Sequence, residues 1–206
     1  MRQMEYSPES DFNVSYDGKS MVITACGDKE SREIRIPPLI NGQPGTGIGN
    51  GVFTFCHELR RVVLPDTVTV IENAAFRGCG NLVDAVLSKD LRTIGALSFA
   101  GCSKLKRVTM GNCLERFEMN SFRDCTELRE IVIWHREKQQ YMSFAVSSEE
   151  EAAIWLYLRG VMSATAPHDA YMDKYDATFL EIKGAYDVYN IAVSRLRNPV
   201  DLSPER

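Results

Sequence analysis

Apolar residues recur along the middle of the chain with a period of 23. Phe53, Phe76, Phe99 and Phe122 share one register, Cys56, Cys79, Cys102 and Cys125 a second, and Leu59, Leu82, Leu105 and Leu128 a third. Ile48, Ile71, Ile94 and Phe117 run ahead of the Phe, and Val62, Ala85, Val108 and Ile131 follow the Leu. Each unit therefore reads I-x4-F-x2-C-x2-L-x2-V-x-L, and a fixed period of this length predicts stacked coils. The end of L-x-x-V-x-L alternates apolar and polar, and Pro65, Ser88 or Gly111 then turns the chain, so each unit is expected to supply one short strand. A lone unit cannot bury its apolar side. Neighbours must stack, with a rise of about 4.8 Å, the parallel-strand spacing.

The flanks predict how the stack begins and ends. Ile34-Arg35-Ile36-Pro37 matches Val62-Val63-Leu64-Pro65 and is expected to start the stack as a fifth strand, followed by a Gly-rich insertion over 41–47. Upstream, 12–16 and 21–24 alternate around Asp17-Gly18, which predicts a hairpin covering the open end of the core. After Trp134 the repeat stops. Ser148 with Glu151 forms a capping-box pattern ahead of the run from Ala152 to Leu158. Beyond Pro167, Met172, Tyr175, Phe179, Ile182, Tyr186 and Tyr189 fall at helical spacing. The expected division is thus a hairpin cap over 1–33, repeats over 34–134 and an all-helical segment over 135–206 that docks on the last coil, its Tyr-rich stripe being an alternative surface for a partner.

The run IRIPPLINGQPGTGIGNGVFTFCHELRRVVLPDTVTVIENAAFRGCGNLVDAVL resembles the BspA-type (Treponema pallidum-type) bacterial leucine-rich repeats, whose units read close to IG-x-x-AF-x-x-C-x-x-L-x-x-V-x-LP. The resemblance covers about residues 12–134, with four consecutive units in phase, although Met110-Gly111 replaces the terminal Leu-Pro of the third. It implies an α/β repeat solenoid, a right-handed coil with short parallel strands, and a role in protein recognition, often in adhesion at bacterial surfaces.

Charge narrows the partners. With 24 Lys and Arg against 28 Asp and Glu the chain carries a net charge of −4, which gives no footprint for nucleic acid or an anionic membrane. The opening MRQMEYSPESDFNV lacks the apolar run of a signal peptide, and no stretch approaches the roughly 20 apolar residues that span a bilayer. The sequence as written reads as cytoplasmic, without membrane insertion; surface display is the alternative where a leader precedes it.

Catalytic patterns are not legible. His57, His135 and His168 lie in no H-E-x-x-H or nucleophile-elbow arrangement. The stretch from Gly45 to Gly51 fails G-x-G-x-x-G and carries no P-loop lysine, so no cofactor is expected. Coil spacing holds equivalent atoms further apart than the roughly 3.8 Å between Cβ atoms that a disulfide requires, so the cysteine column is expected to be buried thiols.

Strand alternation identifies what faces outward. With Val62 and Leu64 inward, Arg61 and Val63 face out, and the same holds in each coil. One outward row is then Arg61, Asp84, Arg107 and Glu130, whose signs alternate and suggest a self-neutralising ladder. The next is Val63, Val86, Thr109 and Val132, ending beside Trp134, a candidate dry stripe for a protein partner. The expected function is a non-catalytic protein-interaction module. A bacterial surface adhesin is the alternative within binding proteins, and an enzyme would need a pocket between solenoid and helices collecting His135, His168 and carboxylates.

Overall fold

The computed structural model describes residues 5–16, 18, 20–136 and 138–146. The chain enters through β1 (Phe12–Tyr16) and β2 (Met21–Cys26), paired antiparallel. It continues through β3 (Glu33–Arg35) and a second hairpin, β4 (Leu39–Ile40) with β5 (Gln43–Ile48). Asn41 and Gly42 turn that hairpin with φ of 52° and 74°, the two successive positive values that match a two-residue turn to the strand twist. Two strands per coil follow: β6 (Arg61–Val63) and β7 (Val70–Ile71), β8 (Asp84–Val86) and β9 (Thr93–Ile94), β10 (Arg107–Gly111) and β11 (Arg116–Phe117). The last described strands are β12 (Glu130–His135) and β13 (Gln140–Ala145).

These strands line two sheets. One runs β3-β6-β8-β10-β12-β13, parallel except at its last, antiparallel pair. The other runs β1-β2-β5-β7-β9-β11, with β4 beside β5 and β2 joining β5 in parallel. The entry hairpin therefore extends the second sheet at its N-terminal edge, while Ser7 donates its amide to the Arg35 carbonyl at the edge of the first.

Between the sheets the periodic residues form columns. Phe53, Phe76, Phe99 and Phe122 are fully buried, with successive ring centroids 4.9, 5.1 and 5.2 Å apart and nearly parallel planes. That separation is close to the strand spacing, so one repeat rise both closes the backbone ladder and stacks the rings. The leucine column and Val62, Ala85, Val108 and Ile131 complete the same core. Burial of each large side chain contributes roughly 1.5–3 kcal/mol.

Two expectations need correction. Each repeat supplies two strands, because the Ile48, Ile71, Ile94 and Phe117 column sits in a second short strand on the opposite side of the coil. Among the described residues there is no α-helix, only the 3₁₀ turns Glu9–Asp11 and Met119–Phe122, so the described coils are all-β and not α/β. The arc between the sheets cannot wind into a long helix because it passes through the left-handed region twice in three coils, at Gly51 and Phe55, Ala74 and Gly78, and Leu97 and Gly101, and once in the fourth, at Asp124. Just beyond the second position, Cys79 donates its amide to the Phe76 carbonyl and Leu82 to the Cys79 carbonyl, a chain of tight turns.

The expected all-helical segment is also corrected at its start. Residues 140–145 form β13, with Phe144 buried and Met142 packed against the core while Tyr141, Ser143 and Ala145 are exposed, which is a period of two. The helices expected beyond, with their Tyr-rich stripe, lie outside the described residues.

Candidate interaction surface

The first sheet sets the outward rows in register. Val63 pairs with Val86, Val86 with Thr109 and Thr109 with Val132, so these four side chains form one continuous line. Three coil steps of about 4.8 Å make that line roughly 14 Å long. All four are half-buried: each packs against its neighbours in the row and keeps one side open.

Beside it runs the charged row, extended by one residue into Glu33. Arg61 Nε lies 3.9 Å from Glu33 and 3.4 Å from Asp84, and Arg107 Nε lies 2.6 Å from Glu130. The Ser143 hydroxyl also donates to Glu130. That bond first, and Arg107 second, holds the Glu130 carboxyl below the usual carboxylate range despite partial burial, while Glu130 pushes Arg107 up. These charges are consumed internally; exposed pairs of this kind contribute about 0.2–1 kcal/mol each.

At the far end the row meets aromatics. Trp134 lies two residues beyond Val132 on the same face of β12 and is half-buried. Its cross-strand partner is Tyr141, 53% exposed, with ring centroids 4.8 Å apart and planes tilted by 59°. Lys89 places its ammonium 4.5 Å from the Trp134 ring centre, and Arg136 forms an ion pair with Asp90 beside it. Sequence reasoning missed Tyr141 and Lys89. The period of two in 140–145 could have found the first; the second depends on a turn offset between coils.

The cysteine column is structural. Cys79, Cys102 and Cys125 donate their thiols to the carbonyls of Phe53, Phe76 and Phe99, one coil back, at 3.0, 3.1 and 3.1 Å. Burial, with the adjoining thiols, pushes Cys102 well above the usual thiol range. The hydrogen bond with Cys79 and then burial do the same for Cys56. Hydrogen bonds with the Cys102 thiol and then the Cys56 thiol act the other way on Cys79 and lower it, so acidity alternates from Cys56 to Cys102 while the column's thiols cap buried carbonyls. His57 is exposed and His135 half-buried on different strands or turns, and His168 lies outside the described residues. Among the described residues no helix is long and apolar enough to cross a membrane.

A family model described as the BspA type leucine rich repeat region matches residues 46–151, in six copies. A leucine-rich-repeat protein from Bacteroides capillosus is 28% identical with a TM-score of 0.50, over 59% of this chain and 91% of that one. The Treponema pallidum leucine-rich-repeat protein is 24% identical with a TM-score of 0.49, over 62% and 71%. A leucine-rich cell-surface protein from Faecalibacterium prausnitzii is 20% identical with a TM-score of 0.47, and the match spans 43% of its length. Among curated proteins none matches.

Proposed function

The chain belongs to the BspA-type leucine-rich-repeat family, and from that premise we propose that it is a non-catalytic module that binds another protein on the outer face of the β3-to-β13 sheet. The observation that carries the reading is the unbroken row of Val63, Val86, Thr109 and Val132, aligned across four parallel strands and ended by Trp134 and Tyr141. An apolar line that charge pairs flank without crossing is a dry surface at the centre of a polar rim, the arrangement of protein interfaces. Trp and Tyr supply large, stiff contact area and are enriched among the residues whose truncation weakens complexes most. The rigid stack presents them already ordered, so little entropy is lost on binding.

Site-specific photo-crosslinking tests the surface. With a benzophenone amino acid in place of Val86, a discrete crosslinked partner is expected from source cells; in place of Val70, outward on the other sheet, none is expected. Equal crosslinking from both positions, or a partner captured at Val70 alone, contradicts the assignment.

A further inference from the structure

A second surface lies at the corner where each coil enters the first sheet, and it goes beyond the valine row. Arg32, Arg60, Val83, Lys106 and Arg129 stack there one per coil. The amides of Arg60, Val83, Lys106 and Arg129 each donate to the carbonyl of the residue before it in this series, at 2.8, 2.8, 2.9 and 3.1 Å. Each of those carbonyls also accepts from the residue that opens the strand, Arg61, Asp84, Arg107 and Glu130 in turn. The backbone thus fixes the spacing of the ridge at about 4.8 Å per coil. All four basic side chains are exposed.

The ridge differs from its neighbour in one physical respect. One residue further along the chain, the Glu33-to-Glu130 row alternates sign and pairs internally. The ridge carries one sign only, and like charges on adjacent strands repel. Lys106 has Glu127 at 3.5 Å, whereas among the described residues Arg32, Arg60 and Arg129 form no ion pair. On a chain of net charge −4 this is a local reversal of sign.

We infer that this ridge docks an extended acidic polypeptide segment of a protein partner. Four coil steps span about 19 Å, the length of some six extended residues. Arginine forks pair carboxylates bidentately, and Val83, half-buried at the centre, offers an apolar contact between two cationic pairs. A phosphate backbone would find no partner at Val83, and no aromatic residue interrupts the ridge to stack a base, so a peptide fits better than a nucleic acid.

Fluorescence anisotropy with a labelled octapeptide of aspartate and glutamate around a central valine, at low salt, tests the ridge. The full chain is expected to bind it, with affinity falling as salt rises, and Arg60→Glu/Arg129→Glu should weaken binding at least tenfold. Arg77→Glu/Arg123→Glu, which changes net charge equally at the Phe-to-Cys turn, should leave it within twofold. Circular dichroism checks folding, and Arg60→Gln/Arg129→Gln replaces the first variant if it does not fold. No binding by the wild type, equal weakening by both pairs, or tighter binding of a single-stranded oligonucleotide of equal charge overturns the inference. None of these results bears on the valine row, because no variant touches it.

Discussion

The Cys102 thiol donates a hydrogen bond to the Phe76 carbonyl at 3.1 Å, reaching from one coil to the coil before it. Phe76 and Cys102 are both fully buried, so no bulk water takes the place of the thiol and the bond and the packing act together. Cys102→Ala leaves the Phe76 carbonyl with the Cys79 amide as its remaining donor and opens a small cavity, with an expected loss of about 1–2 kcal/mol. Urea unfolding measures it; a loss no greater than that of Cys113→Ala, at a half-buried position outside the column, would deny the column its role.

The same column makes a chemical prediction. Ellman's reagent on the native protein should label Cys113 first, and Cys56, Cys79, Cys102 and Cys125 only after unfolding, because they are buried and the reagent cannot reach them. Fast labelling of more than one thiol in native buffer would contradict the burial.

Gly111 allows two coils to approach. A Cβ there would lie 1.7 Å from the Lys89 carbonyl oxygen, a backbone atom that cannot swing aside. Gly111→Ala is therefore expected to cost about 3 kcal/mol or more in chemical denaturation. A near-neutral result would mean that the coils separate easily at this point.

Ala74 has φ of 55°, a conformation that a Cβ disfavours, while its amide still reaches the Ala96 carbonyl. Ala74→Gly should relieve that strain and raise stability by about 0.5–1 kcal/mol, read as an upward shift in melting temperature. A downward shift would show that the methyl group contributes more by packing than it costs in backbone strain.

Glu130 predicts a pH dependence. Its folded carboxyl is held below the ordinary value by Ser143 and then Arg107, so its contribution is present above the unfolded glutamate range. That contribution is lost as pH falls through the lower folded value. The stability gap between wild type and Glu130→Gln, at most about 1 kcal/mol near neutrality for so exposed a pair, should close on acidification. A gap that stays constant to low pH would remove the ion pair as its source.

Much of this surface is legible in the sequence. The columns could be read because inward positions demand large apolar side chains, and Val63 to Val132 follow from alternation with Val62 inward. The second strands were missed because Val70-Ile71 and Thr93-Ile94 are two residues long and carry no period. The left-handed positions were hidden because Phe55, Ala74 and Leu97 are residue types that do not advertise positive φ. Tyr141 was missed because the expected helical segment was extended back over 135–146, where inward Met142 and Phe144 instead alternate with exposed residues.

The most direct test of the central claim is the affinity of the purified, crosslinked partner for wild type and for Val86→Glu/Val132→Glu, measured by calorimetry on proteins with matching thermal unfolding. A loss of at least a hundredfold, with Thr93→Glu on the other sheet leaving affinity unchanged, is the predicted result. Unchanged affinity in the double variant would contradict the account.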